Sequence, residues 1–403
     1  MYWESCKSYK RKKKVNNKKK ILIISPFFFP EPISTGKFNT DVVRELSEKG
    51  HDVTVLCFHP FYPSWKTKKS QETIEGVTIV RGGKYLIYPK LIVLRRIILE
   101  LGFAFFVLRK LRKHQKKQDI VIPIFPPSFA FYIILFFLNK KIKKIGMVHD
   151  LQEIYSSNKK GILNKFVKYC IHKVEKKCFN SCDKLIFLSN EMKEEAEILY
   201  KLDSTKLEVQ YPFITLKNKI TNQLNSILKS ENINVVYSGA LGEKQNPIGL
   251  YNFFNYASDK VAKNIIFHFF SQGEYFNQIK EENRNPRIQF HSLVSKENLE
   301  ELYHKSDIQV LPQQINTSKG SLPSKLPNLL ASGVKTLVIT DKNSEIEKLF
   351  KIKKLTTIAN SWEHSLLLEK LIDLISSNDN LEHQQVVAKE LFTIDEMIKK
   401  ILS

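Results

Sequence analysis

"INVVYSGAL" covers Ile233–Leu241 and decides the fold, because it restarts a pattern that the first half of the chain has already completed. The run is short, rich in β-branched residues and closed by Gly239, which is how a buried strand reads. Upstream, "ILIIS" from Ile21 is a strand and "TGKFNTDVVRELSEKG" is a helix closing at Gly50. "HDVTVLCF", "DIVIPIF", "KIGMVHD" and "KLIFLSN" are further strands. Downstream of Ile233 the series resumes with "NIIFHFFSQGE", "RIQFHSLV", "DIQVLPQ" and "VKTLVIT". Strands alternating with helices build parallel, doubly wound sheets. Two such series predict an α/β chain of two doubly wound Rossmann-like domains facing across a cleft. The division is a tail over 1–20, a first domain over 21–215, a second over 216–380 and a terminal helix over 381–403 that packs back toward the first domain. "FITLKNKITNQLNSILKSEN", Phe213–Asn232, reads as the hinge.

The 403 residues carry 64 Lys and Arg against 41 Asp and Glu, a net charge of +23, which favours anionic partners. "KSYKRKKKVNNKKK", Lys7–Lys20, is a solvated basic tail. It lacks the interleaved aromatic residues of a single-strand nucleic-acid site, so no nucleic-acid partner is expected. Ile21–Phe29 is too short for a signal peptide and runs into prolines. Five cysteines without a paired framework point to a reducing compartment. Cys170, Cys178 and Cys182 lie near His172, but Phe166, Val167, Cys170, Ile171, Val174 and Cys178 form a helical stripe that reads as core, and no metal is expected. Ile120–Leu138 is long and apolar enough to suggest a membrane span, yet Pro123, Pro126 and Pro127 divide it into a strand, a turn and a buried helix.

In open α/β sheets, ligands lie at the carboxyl ends of the strands. There the sequence places Gly36 and Lys37, then His149 and Asp150, then Gly239 and Lys244, and finally "SLPSKLPNLLASG", Ser321–Gly333. The last stretch reads as a helix starting at Pro323 and Ser324 and stopping at Gly333, with Lys325 in its first turn. A cation there is misplaced by roughly 0.3–1 kcal/mol. Either Lys325 points into water, or an anion such as a phosphate takes the free N–H groups, the hydroxyl and the ammonium together. No GxGxxG follows the first strand and no GxxxxGK[ST] is present, which argues against a dinucleotide cofactor and a P-loop.

"GHDVTVLCFHPFYPSW", "IFPPSFAFYIILFF", "MVHDLQE", "CDKLIFLSNEMKEE", "VVYSGALGEKQNPIGLYNFF" and "LPSKLPNLLASG" occur in the order seen in glycosyltransferase family 4, and the chain resembles the branch that builds bacterial O-antigen, capsule and colanic-acid-type polysaccharides. The resemblance implies the two-Rossmann-domain glycosyltransferase-B fold, with an acceptor-side first domain and a nucleotide-sugar-binding second domain. It implies a retaining, metal-independent enzyme that needs no cofactor and takes a nucleotide-diphosphate sugar, most simply a UDP-sugar. It places Lys244, Ser324 and Lys325 on the donor diphosphate and Asn328 where many relatives hold the ribose with a glutamate. Gly239 lies at the same site. Gly36 and Lys37 form a loop approaching the diphosphate and sugar, and His149 with Asp150 is the catalytic pair beside the sugar. A nucleotide-sugar epimerase on the same fold, or a catalytically silent membrane-bound scaffold, are the alternatives. The implied acceptor is a polyprenyl-diphosphate-linked saccharide. "LIVLRRIILELGFAFFVLRKLRK", Leu91–Lys113, has an apolar middle and basic ends, and predicts peripheral docking on an anionic membrane surface, at the cytoplasmic face of the plasma membrane.

Overall fold

Two separate parallel sheets organise the chain in the computed structural model, which describes residues 18–31, 33–62, 64–153, 162–216, 220–316, 322–355, 357–377 and 381–403. The first unit holds the residues up to Phe187, Ala196–Glu208 and Asp395–Ser403, and the second holds Leu188–Glu195 and Val209–Ile394.

The first sheet contains β1 (Lys20–Ile24), β2 (Asp52–Phe58), β3 (Val77–Gly82), β4 (Ile120–Phe125), β5 (Lys143–Val148), β6 (Lys184–Phe187) and β7 (Leu207–Val209). Their order is β3-β2-β1-β4-β5-β6-β7, and β1 to β6 pair in parallel. β4 is buried along its whole length, as expected of a central strand covered on both faces. The order reverses between β1 and β4, the switch point where such sheets open a crevice. The accompanying helices are α1 (Ser34–Glu48), α2 (Ile92–His114), α3 (Ser128–Phe137), α4 (Ile162–Asn180) and α5 (Asn190–Tyr200). In β5, a Cβ on Gly146 would sit 2.7 Å from Leu185 and 2.9 Å from Phe125, so only glycine fits between the neighbouring strands.

The second sheet contains β8 (Ile233–Ser238), β9 (Ile265–Ser271), β10 (Ile288–Ser292), β11 (Ile308–Pro312), β12 (Lys335–Ile339) and β13 (Ile358–Ala359). All are parallel, in the order β10-β9-β8-β11-β12-β13. Its helices are α6 (Pro247–Ser258), α7 (Glu274–Glu282), α8 (Leu299–Lys305), α9 (Leu326–Ser332), α10 (Glu345–Lys353), α11 (His364–Ser376) and α12 (Leu381–Leu391). Phe253 and Phe254 of α6 pack with Tyr237, Phe267 and Phe269 at the centre of the core. Asn246 starts α6 in a left-handed conformation, its side chain accepting from the Gly249 amide at 3.2 Å, with Pro247 as the first helical residue.

The structure corrects four expectations. Residues 220–232 are not a free hinge: Leu224 and Leu228 are buried against Val236, Phe270 and Leu302, and the Glu301 carboxylate accepts from the Gln223 and Leu224 amides at 3.1 and 2.8 Å. Residues 381–403 form α12 and a separate α13 (Ile394–Leu402), of which only α13 belongs to the first unit. There Asp395 meets Lys49 at 2.7 Å and the Lys184 ammonium donates to the Lys400 carbonyl at 3.0 Å. The stripe on α4 is buried only toward its end, since Cys178 is enclosed while Phe166, Val167 and Cys170 are exposed. Finally, α3 buries one face only. Positions 1–17 of the basic tail lie outside the described residues, and Lys20 already pairs opposite Asp52 in the sheet. Among the described residues, no helix is long and apolar enough to cross a membrane.

Candidate functional site

At the carboxyl edge of the first sheet, the segment leaving β1 turns at Ser25, whose hydroxyl donates to the Phe27 carbonyl at 2.9 Å and accepts from Asn39 at 3.2 Å. Gly36 and Lys37 were expected in a loop, but α1 already starts at Ser34, so both lie in its first turn. Gly36 is buried, and a Cβ there would meet Glu31 at 3.1 Å. Lys37 is exposed. The lack of a side chain at position 36 therefore lets the helix start close over Glu31.

Glu31 was not singled out from the sequence. Its carboxylate accepts from the Phe61 amide at 3.1 Å and from the Tyr62 amide, which ties the segment after β2 to the segment after β1. Burial raises its pKa to about 7, against those backbone bonds and the more distant Arg81 and Lys68. An acid flanked by prolines in an aromatic run was the available signal.

His149 directly follows β5, where its amide donates to the Phe125 carbonyl at 2.9 Å. Its ring stands edge-on to Phe38 of α1, with centroids 4.9 Å apart. The side chain is buried, and burial lowers its pKa to about 4, so the imidazole is neutral at physiological pH. Its Nε2 is enclosed without a hydrogen-bond partner among the described residues, as is Oδ1 of Asn39. Unpaired buried polar atoms are uncommon and costly. Asp150 adjoins the imidazole in sequence and is partly exposed.

The turn that carries them is held from below. Glu175 of α4 is buried and accepts from Gln152 N at 3.0 Å, Glu153 N at 3.2 Å, the Ser128 hydroxyl at 3.1 Å and the Tyr200 hydroxyl at 2.6 Å. His172 bonds Glu153 at 2.9 Å, which gives that imidazole a structural role.

In the second unit, α9 starts at Leu326, later than the sequence suggested, and Lys325 stands at its cap rather than in its first turn. Leu326, Leu329 and Leu330 are buried and Gly333 ends the helix at φ +74°, as the pattern indicated. The helix-dipole argument loses its basis in so short a helix, but Lys325 does not point into water. Its stem is half-buried, and its ammonium donates to the Ser238 carbonyl at the end of β8. The same ammonium lies 4.4 Å from the centroid of the Tyr237 ring. Burial lowers its pKa to about 8. Gly239 lies underneath: at φ +129° it suits glycine, and a Cβ there would be 2.5 Å from the ammonium nitrogen.

The remaining expected residues lie around this point. Lys244, in the turn after β8, is exposed, and its carbonyl accepts from the Gln314 amide at 2.8 Å. Ser324 is exposed beside Lys325. Asn328 is buried, and its amide is taken up by Thr215, accepting from the backbone N–H at 2.8 Å and donating to the hydroxyl at 3.0 Å. In the structure it is thus a clamp on the segment before residue 217. Lys325, Gly239, Ser324 and Lys244 are brought to one edge of the second sheet, and His149, Asp150 and the start of α1 to the corresponding edge of the first.

Residues 35–218 match Glycosyltransferase Family 4. A protein of Escherichia coli strain K12 that carries the name of a colanic acid biosynthesis glycosyl transferase, WcaI, is 26% identical over 358 residues, covering 82% of this chain and 85% of its own. WaaG, described as a glycosyltransferase involved in lipopolysaccharide biosynthesis, aligns at a TM-score of 0.66 with 14% identity, over 95% of this chain and 99% of its own. Anabaena Alr3699/HepE, solved in complex with UDP and glucose, aligns at 0.65 with 13% identity, over 95% and 98%. At these identities the two structures establish the fold, the two-Rossmann-unit glycosyltransferase-B type.

Proposed function

From its kinship with glycosyltransferase family 4 over residues 35–218, we propose that this protein transfers a sugar from a UDP-sugar to a lipid-linked saccharide during the building of a surface polysaccharide. The observation that carries the reading is the Lys325 ammonium, enclosed at the end of β8 over Gly239 with no carboxylate bonded to it among the described residues. A buried cation of this kind is completed by an anion, and the donor diphosphate is that anion. The UDP of the HepE complex and the polysaccharide pathways named for WcaI and WaaG favour the same assignment.

In this reading Lys325 and Lys244 stabilise the charge that develops on the leaving diphosphate, with Ser324 as a further donor. Substitution proceeds from the front face with retention of configuration and without a metal ion. The neutral His149 imidazole offers its unpaired Nε2 to a sugar hydroxyl, with Asp150 beside it. Asn328 acts on the nucleotide indirectly, by fixing the segment at Thr215. The acceptor is a polyprenyl-diphosphate-linked saccharide, which places the protein peripherally at the cytoplasmic face of the membrane.

The test is incubation of the purified protein with labelled UDP-sugars and a polyprenyl-diphosphate-linked acceptor. Label entering the lipid fraction, with the anomeric configuration of the donor kept, is the expected result. An epimer released without acceptor would make the protein an epimerase. Absence of both turnover and heat protection by every UDP-sugar would leave a catalytically silent scaffold.

A further inference from the structure

We propose that α2 and α3 together form one membrane-inserting face, in which the outer side of α3 enters the lipid and the cations at the end of α2 and after α3 grip anionic headgroups. The inference deepens the membrane reading above and rests on it.

α3, "SFAFYIILFF", is apolar on every side beyond its first residue. A helix of a soluble domain normally turns a polar face to water. Here Phe131, Ile134 and Leu135 fill the core, while Tyr132 and Phe136 project outward, Phe136 being 84% exposed. α3 packs beside α2, with Phe103 and Phe131 in edge contact at 6.2 Å. α2 contributes a second exposed row, Leu94, Ile97, Leu101 and Phe105, at helical spacing. The two rows make a contiguous apolar surface of a kind seldom left uncovered.

Charge identifies the occupant. Between Lys84 and Val148 there are fourteen Lys and Arg and two acids, Glu100 and Asp119. Glu100 is the one charged residue within the apolar middle of α2, and the structure turns it inward. It is 6% exposed, accepts from the Ala130 amide at the start of α3 at 3.0 Å and pairs with Arg96 at 3.2 Å. Asp119 accepts from the Lys20 amide at 2.8 Å, at the far end of β4 from the carboxyl edge. The apolar rows therefore carry no negative charge. They are flanked by Arg109, Lys110, Arg112 and Lys113 at the end of α2 and by Lys140 and Lys141 after α3, all exposed. Arg109 lies over the exposed ring of Phe105 at 5.6 Å, a cation held at the margin of the apolar surface. Aromatic and aliphatic side chains rimmed by cations suit an anionic bilayer. Neither a second copy of so basic a surface nor a cationic partner would be drawn to it.

The test uses the full chain in flotation with vesicles of phosphatidylglycerol and phosphatidylcholine, or of phosphatidylcholine alone, at low and high salt. The parent should float with the anionic vesicles and less so at high salt. Tyr132→Asp/Phe136→Asp, at exposed positions, should keep the melting temperature and lose roughly tenfold in partitioning. A Phe136→Trp variant should show emission quenched by bromine on the acyl chains, relative to the parent. If the parent floats but the double variant floats equally, or the bromine does not quench, this face is wrong while the membrane reading stands. If the parent binds no vesicle, both fall. A parent dimer that the double variant dissociates, without vesicle binding, would assign the face to a second copy of the chain.

Discussion

Replacing Lys325 by methionine removes the ammonium and keeps most of the stem. Burial holds this lysine at a pKa of about 8 in place of the ordinary 10.5. That difference corresponds to about 3 kcal/mol by which the fold disfavours the charged form. The folded pKa lies below the unfolded one, so between pH 8 and 10.5 the unfolded chain keeps a proton that the folded chain has released. Stability therefore rises with pH through that window, and the charge is a burden below it. Methionine also loses the bond to the Ser238 carbonyl, worth about 1 kcal/mol, so Lys325→Met should stabilise the empty protein by about 1–2 kcal/mol at neutral pH. The gain should vanish toward pH 10.5. Binding of UDP should weaken in the same variant by about 1.5–3 kcal/mol, the range for bonds to charged groups. A bound diphosphate would also raise the lysine pKa, so UDP binding to the parent above about pH 8 should take up a proton and weaken as pH rises. Calorimetric titration in buffers of different ionisation enthalpy measures both effects. Equal affinity in parent and variant, with no buffer-dependent heat at alkaline pH, would refute the reasoning.

Gly239→Ala should weaken UDP binding together with stability, by at least about 1 kcal/mol in denaturant titration, because the new methyl group collides with the Lys325 ammonium and the backbone is left-handed. His149→Ala should lower sugar transfer by roughly ten- to a hundredfold, as expected when a buried bond to a substrate hydroxyl is lost. With its pKa near 4, His149 itself should add no inflection to the transfer rate between pH 5.5 and 8. Glu31, at a pKa of about 7 against 4.5 for the free group, contributes stability that is full below 4.5 and is lost as pH rises through 7. Thermal melts of Glu31→Gln should lack that slope, with a difference on the order of 2 kcal/mol at pH 8 after allowance for screening by the neighbouring cations.

The sheets were legible because their strands are aliphatic runs bounded by polar turns. That signal is local and survives without knowledge of the partners. β3 and β13 escaped it: β3 is a half-buried edge strand and β13 spans two residues, so neither shows a clean burial pattern. At the site, the helix pattern put Lys325 at a helix start, but what surrounds its ammonium was not legible. The Ser238 carbonyl and the Tyr237 ring lie 87 and 88 positions away in sequence, and only the fold brings them under the ammonium. The resemblance alone put Asn328 at the ribose, and residue type does not distinguish an exposed amide from one that is buried and bonded to Thr215. Glu31 and Glu175 were passed over for the converse reason: a carboxylate among apolar residues gains its meaning from the backbone amides around it, which carry no side-chain signature.

Glu175 has one further consequence, in the order in which the molecule opens. Its two oxygens hold the start of α3, the turn at Gln152 and Glu153, and the last residue of α5. A segment leaving the carboxyl end of a strand ordinarily belongs to the less protected part of a protein, where backbone amides exchange with solvent through small local fluctuations. Here the Gln152 and Glu153 amides point into a buried carboxylate, and releasing them leaves that carboxylate short of donors in the interior. Local opening of the turn is thereby coupled to the loss of α4 itself, so these two amides should exchange with deuterium at the slow rate of the helix core.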